Sequence, residues 1–305
     1  MSTFSILGIG SATVDDLLFV DRFPAPDSKQ EVLRTERHGG GLVATACVAA
    51  ARLGVPTAFA DVLGDDELSQ WVIADLQREG VDTAPIQRQP DARPIHAVII
   101  VEQGSGSRTI LYSTAGHVRG DAGIPPDSLI RAATTLLIDD VRQTDGGLLR
   151  AVQTARSAGA AVVADLELRV EPTLLAAVDH LIVSAGYAAR VTGKADPSAA
   201  AQMLWHGERA AVVVTCGVDG CWYYEGEGSP VHQPAFVVPV VDTTGCGDVF
   251  HGAYAAGLNW GVSLAQRVRL ASACAALKAT QPGGRRGIPT RAQLESFLAG
   301  VGDAG

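Results

Sequence analysis

Six short apolar runs, most of them followed by a helical pattern, constrain this chain more than anything else in it. Residues 4–10 read as a buried strand entering a glycine turn. "TAFADVLG" precedes the helix-like "DDELSQWVIADLQREG", and "TTLLIDD" precedes "TDGGLLRAVQTARSAG". "AAVVADLEL", "HLIVSA" and "RAAVVVTCG" are further β-branched runs bounded by turn or helix signals. Parallel neighbours cannot be joined by a tight hairpin, so a helix between successive strands is the natural crossover. The alternation therefore predicts an α/β fold with a central, mostly parallel sheet and helices on both faces.

The pattern changes in two places, about residues 17–38 and 95–114. "HAVIIVEQGSGSRTILYS" is two β-rich runs around a Gly/Ser turn, the mark of a hairpin. "QEVLRTERHGGG" is a shorter alternating run that ends in three glycines. These segments are expected to form a small sheet apart from the main core. The chain has 305 residues, 47% of them hydrophobic against 19% charged, which is enough apolar material for one large α/β domain. With no internal repeat, low-complexity segment or long linker, the expectation is a single domain over 1–305 with a small β-sheet inserted.

A formal net charge of −9 leaves no basic footprint for nucleic acid, although local donors can still bind an anionic ligand. The five cysteines are an odd, scattered set without CxxC spacing, which fits reduced thiols better than a disulfide framework or a zinc site. No basic n-region precedes an apolar core, and no apolar run reaches about 18 residues. The reading is a soluble, cytoplasmic protein with no membrane partner.

The chemistry-bearing stretch is "VVDTTGCGDVFHGAYAAG", residues 240–257. "AFVVPVV" reads as a buried strand and "GDVFHGAYAAGL" as an amphipathic helix, which makes "DTTGCG" the turn between them. A helix N-terminus presents unpaired N–H groups and partial positive charge, so it suits an anion. Gly245 and Gly247 let a ligand approach the N–H groups of residues 245–248. Asp248 falls in the first helical turn, where the dipole favours its ionised form. The turn can be an anion hole for a transferring phosphoryl group, with Asp248 accepting a proton from the attacking hydroxyl. It can equally be a glycine-rich turn with Asp248 as a capping acid. A dinucleotide-binding reading of "GIGSAT" fails because Thr13 stands where the third glycine is required, and no Walker A motif is present.

Several spaced motifs together resemble the PfkB or ribokinase-like carbohydrate kinase family nearly end to end. "DTTGCGDVFHGA" is similar to its C-terminal signature and "GGGLVATACVAAARLG" to its N-terminal one. "VVVTCGVDGCWYY" resembles its TxGxxG strand and turn, and "ALKATQPGGRRGIP" its closing nucleotide-side loop. The resemblance implies an ATP-dependent, Mg2+-assisted phosphotransferase acting on a sugar. Asp248 matches the base, and Gly245, Cys246 and Gly247 match the anion-hole backbone. Asp15 matches an acid that holds substrate hydroxyls, and Gly40 and Gly41 match glycines under the sugar. Thr215, Gly217 and Gly220, with Gly283 and Gly284, match the nucleotide side. Asp242 and Thr244, with the Gly283–Gly287 loop, match positions that in some members hold a potassium ion. The small sheet matches a lid that closes over sugar and often mediates a homodimer.

Two departures stand out. Thr45 replaces the asparagine usual after the glycines, and Ser184 and Tyr187 stand where members often carry NxxE, so no carboxylate for magnesium is named. Within the family the motifs most resemble bacterial sulfofructose (6-deoxy-6-sulfofructose) kinases, which phosphorylate the primary 1-hydroxyl of a ketose with a distal sulfonate. That resemblance assigns Lys29 and Arg142 to the distal anion, while Tyr112 stands where that subgroup has asparagine. A nucleoside kinase stacking a base on Phe19 or Tyr112, or a non-catalytic sugar- or nucleotide-binding regulator, are the alternatives. Cys246 stands in the place of an alanine, and its first reading is a small side chain whose amide does the work; the alternative is a thiol acidified at a helix N-terminus and open to alkylation.

Overall fold

A computed structural model describes residues 4–104, 107–140, 146–168 and 171–301. The chain opens with β1 (Ile6–Ile9), β2 (Thr13–Val20) and β3 (Arg34–Gly40), then α1 (Leu42–Arg52), β4 (Thr57–Ala60), β5 (Val62–Leu63) and α2 (Glu67–Arg78). After β6 (Gln87–Arg88) come β7 (Ile95–Glu102), β8 (Arg108–Ser113), α3 (Asp127–Ala132) and β9 (Thr135–Asp139). α4 (Gly147–Ser157), β10 (Ala161–Asp165), α5 (Pro172–Ala177), β11 (His180–Ser184), α6 (Ala185–Thr192) and α7 (Pro197–Leu204) follow. The chain ends with β12 (Ala211–Thr215), β13 (Cys221–Tyr224), β14 (Val231–Gln233), α8 (Cys246–Asn259), α9 (Leu264–Ala279) and α10 (Arg291–Val301).

The large sheet has the order β14-β13-β12-β11-β10-β9-β1-β4, and all of its pairings from β4 to β12 are parallel. β1, β9, β10, β11 and β12 are almost wholly buried, as expected for strands covered on both faces. The strand order reverses at β1, which pairs with β4 on one side and β9 on the other. In open parallel sheets the crevice beyond the strands' carboxyl ends at such a reversal is where ligands bind. The smaller sheet has the order β3-β2-β7-β8, with β2 and β7 parallel at its centre. It contains the predicted hairpin, β7 with β8, and extends from Thr13 to Gly40, so both the Asp15 strand and the first two of the three glycines belong to it.

α8 lies against α1 in the core, and the small residues of both allow the close approach. A Cβ added at Gly252 would come 2.8 Å from the Ala49 Cβ of α1, so the two backbones nearly touch. Position is then set by caps: Asp66 accepts from the N–H groups of Leu68 and Ser69 to start α2, and Ser263 and Gln266 close a capping box on α9.

One expected strand is absent. "AFVVPVV" (235–241) is irregular, and Val237 is 100% exposed. Pro234 and Pro239 remove ladder donors at both ends of the run, which disfavours a central strand. Its apolar side chains line a groove instead, as described below. No helix among the described residues is long and apolar enough to cross a membrane.

Candidate active site

Two hollows meet at the turn before α8. The smaller, about 240 Å3, lies between the two sheets and is lined by Asp15, Gly39, Gly40, Gly41, Thr45 and Asp248, among others. The larger, about 610 Å3, is lined by Thr215, Gly217, Gly220, Cys246 and Gly247, with an apolar wall that includes Val237 and Val240. The first is of monosaccharide size, and the second is large and apolar enough for a purine and its ribose.

Gly245 is the N-cap of α8 with φ 76°, a left-handed conformation that favours glycine. A Cβ there would also come 2.8 Å from the Gly284 carbonyl oxygen. At Gly247 an added Cβ would meet no protein atom, so that glycine keeps space open on the groove side rather than packing. Residues of the turn thus line both hollows, and the Cys246 N–H donates within it to the Thr243 carbonyl oxygen at 3.2 Å.

Asp248 reaches the small cavity from the first turn of α8. The dipole alone would favour its ionised form, but the structure corrects that expectation. Burial, and then the neighbouring Asp165 charge, push its carboxyl well above the usual carboxylate range, with His251 opposing. A carboxyl raised in this way is a better base once ionised. His251, one turn further along α8, has Nδ1 2.8 Å from the Gly247 carbonyl oxygen and Nε2 3.0 Å from that of Ile182. It pins the turn to β11, and Asp165 lies 3.3 Å from Nδ1.

At the opposite end, Asp15 of β2 accepts from the Thr13 hydroxyl at 3.2 Å, and burial raises its carboxyl. Gly40 and Gly41 form the floor beside it, and Thr45, 1% exposed, projects from α1. Glu167, just past β10, is a third carboxylate of this cavity. Its backbone N–H and that of Leu168 both donate to Asp140.

Arg285 stitches this floor together. Its Nη1 bonds Asp75 at 2.7 Å, its Nη2 the Gly40 carbonyl at 2.8 Å and its Nε the Thr45 hydroxyl at 3.2 Å. It comes from the 281–287 loop, so that loop supports the small cavity. Gly284 lines the small cavity and Gly283 donates to Asp242 at 2.9 Å; neither borders the larger groove, contrary to the nucleotide-side expectation. The loop sits behind the turn because Arg285 is anchored on the sugar-floor side.

Other expected residues fall elsewhere. Lys29 is exposed on the arm between β2 and β3, and Tyr112 is 71% exposed on β8; neither lines a described hollow. Arg142 lies outside the described residues. Ser184 caps α6 by accepting from the Tyr187 N–H at 3.1 Å, and Tyr187 is buried, so the NxxE positions are spent on structure.

Cys246 goes against the reactive-thiol alternative. Burial pushes its thiol up rather than down, and Sγ donates to the Ala275 carbonyl oxygen. Cys246→Ala should therefore retain kcat within about twofold, as a partly buried thiol replaced by a smaller apolar group usually costs little. Inactivation by iodoacetamide in wild type at pH 7.5, abolished in this variant, would show instead that the thiol is reactive.

Comparison with known proteins places the chain. The model for the pfkB family carbohydrate kinases matches residues 4–291, and the chain belongs to that family. It is 30% identical to a fructokinase of Solanum tuberosum over 86% of this chain and 86% of that protein. It is 27% identical to a ribokinase of Haemophilus influenzae, covering 95% of this chain and 97% of the relative. The solved structure of Arabidopsis thaliana ribokinase complexed with ribose and ATP superposes with a TM-score of 0.86 at 23% identity, covering 97% of this chain and 99% of that one, and shows the shared fold. The protein is a sugar kinase with a ribokinase-like α/β fold.

Proposed function

We propose that the chain transfers the γ-phosphoryl group of ATP to a primary hydroxyl of a ketose that carries a distal anionic group, as sulfofructose does. The observation that carries the transfer chemistry is the junction itself: a carboxylate and a set of helix N-terminal N–H groups lie between a sugar-sized cavity and a nucleotide-sized groove. Asp15 would hold ring hydroxyls over Gly40 and Gly41, leaving the primary hydroxyl at Asp248. The hydroxyl oxygen attacks the γ-phosphorus, its proton passes to Asp248, and the β,γ-bridging P–O bond breaks with its electrons to ADP. The N–H groups of residues 245–248 stabilise the charge on the equatorial oxygens. Among the described residues no three His, Cys, Asp or Glu side chains are grouped to hold a metal. Mg2+ would be held mainly by ATP phosphates and water, neutralising charge on the transferring group.

The anionic tail is supported by sequence position and sheet order. β9 lies between β1 and β10, and the residues after those two strands, Ser11 and Glu167, both line the cavity. Arg142 follows Asp139, the last residue of β9, by three residues in the sequence. Lys29 on the small-sheet arm would supply a second cation on closure. A neutral ketose such as fructose is the second reading, favoured because the described lining includes Asp15, Glu167 and Asp248 and no lysine or arginine, Arg285 being spent beneath the floor. A nucleoside is poorly supported: the Arg34 guanidinium covers Phe19 at 3.9 Å from the ring centroid, and Tyr112 is outside the cavity. The small sheet would act as a lid, and exposed Ile110, Leu111 and Tyr112 on its edge strand β8 support a homodimer through it.

A coupled ADP-release assay with sulfofructose, fructose, ribose and adenosine tests this. Sulfofructose should give the highest kcat/KM, and Arg142→Ala should raise its KM by about tenfold or more, the worth of a charge-assisted hydrogen bond, while sparing fructose. Equal loss on both sugars, or fructose preferred by wild type, would remove the anionic-tail reading.

A further inference from the structure

Lys278 is a charge that the sugar-kinase reading leaves without a task. It lies in α9 with 0% of its surface exposed, and its ammonium donates to the backbone carbonyl oxygen of Asp242 at 2.7 Å. A lysine is rarely buried so completely without a partner of this kind. Asp242 begins the turn that leads to Gly245. Its Oδ1 accepts from the Thr244 N–H at 2.8 Å and its Oδ2 from the Gly283 N–H at 2.9 Å. Arg108, from β8 of the small sheet, reaches the same place: Nη1 bonds the Thr244 hydroxyl and stands 3.5 Å from Asp242 Oδ1.

Asp242 and Thr244, with the 283–287 loop, are the positions at which the family resemblance implied potassium. A monovalent cation is drawn to a cluster of oxygens whose negative charge is not already balanced by cations. Here all three oxygens of Asp242 have donors, and two side-chain cations already converge on the segment. A K+ ion would be a third positive charge beside a carboxylate already neutralised. The residues do not fit it.

We propose that the Lys278 ammonium takes the place of a monovalent cation behind the phosphoryl-binding turn, so that this kinase works without potassium. Lys278 is a positioning residue: it fixes the Asp242 carbonyl and, through the Asp242–Thr244 bond, the N–H groups of residues 245–248. A tethered ammonium loses less entropy on occupying the place than a free ion does, and it responds to no external salt. The inference rests on the reading of that turn as the phosphoryl site.

Mg·ADP affinity, measured by calorimetry in potassium chloride and in tetramethylammonium chloride at equal ionic strength, tests it without a sugar. Wild type should bind equally in both, within about twofold, and its turnover on the preferred sugar should match as well. Lys278→Ala should bind about tenfold or more weakly in tetramethylammonium, as expected for loss of a buried charged hydrogen bond. Potassium or methylammonium should restore most of that loss, and Lys278→Arg should keep part of it. A purely structural lysine would lower the melting temperature with no cation response. Stimulation of wild type by potassium of more than about fivefold overturns the proposal, as does a folded Lys278→Ala whose ADP affinity ignores both cations. Should that variant not fold, the wild-type comparison alone decides. Absence of ADP binding in both salts would overturn the reading of the turn and this inference with it, whereas ADP binding without sugar turnover would count only against the sugar.

Discussion

Replacing Asp248 with asparagine is expected to cut kcat by about 10³- to 10⁴-fold, the upper range for loss of a general base. The same change should raise the melting temperature. The amide keeps the shape and leaves the N–H groups of the turn in place, so ADP affinity should stay within about threefold of wild type. The thermal effect follows from linkage. Burial and Asp165 hold the Asp248 carboxyl above its unfolded value, so the folded chain binds that proton more tightly than the unfolded chain. Ionisation of Asp248 therefore opposes folding. The penalty is absent below the unfolded pKa and fully present once pH has risen past the folded one. An asparagine escapes it, so the variant should melt about 1–3 °C higher at pH 8 if roughly 1 kcal/mol is relieved in a chain of this size. That gap should close as pH falls below about 3, where the carboxyl is protonated in the folded and the unfolded chain alike. A variant that keeps more than about a tenth of the wild-type rate would take Asp248 out of the chemistry. A melting gap that is constant with pH would leave the rate prediction standing but remove its electrostatic account.

The parts of this enzyme that periodicity describes were readable in advance, and the parts that depend on distant partners were not. β9 to β12 are short buried runs between helices, and the pattern alone implies their parallel pairing. Asp248 was readable because the glycines and the helix lie beside it in sequence. The run 235–241 misled because apolar alternation reports burial, and a ligand groove is a different way of using apolar side chains from a sheet. Asp165 and Glu167 close the run "AAVVADLEL", which periodicity marks only as a strand, and they raise the Asp248 carboxyl from a distant part of the sequence. The pattern "ADLEL", with two carboxylates two residues apart at a strand's C-terminal end, was the available signal. His251, three residues after Asp248, was visible as a helical neighbour, although its bond to Ile182 was not. Arg285 sat in a loop whose composition suggests solvent, and nothing local says that its guanidinium is buried against Asp75, some two hundred residues earlier.

That arginine carries the second large expected effect. Arg285 is 7% exposed, and its guanidinium spends its donors on Asp75, the Gly40 carbonyl and the Thr45 hydroxyl. Burial pulls the guanidinium down from its usual value, and Asp75 is the charge that most opposes this. Arg285→Met removes the cation and leaves Asp75 and the Gly40 carbonyl without that donor. Breaking a buried pair by deleting one partner typically costs about 3–5 kcal/mol. At about 2–4 °C per kcal/mol for chains of 150–250 residues, a fall of roughly 6–20 °C in melting temperature is expected. The cavity floor loosens at the same time, since Gly40 and Thr45 lose their common anchor, so KM for sugar should rise by about tenfold or more beyond any loss of folded protein. The double variant Asp75→Leu, Arg285→Met separates the two effects. Replacing a buried ion pair by apolar side chains is often neutral for stability, so the double variant should recover most of the melting temperature. It cannot restore the bonds to Gly40 and Thr45, so its sugar KM should remain high while ADP affinity stays near wild type. If KM recovers together with stability, Arg285 serves the fold alone and the sugar floor is positioned by other groups.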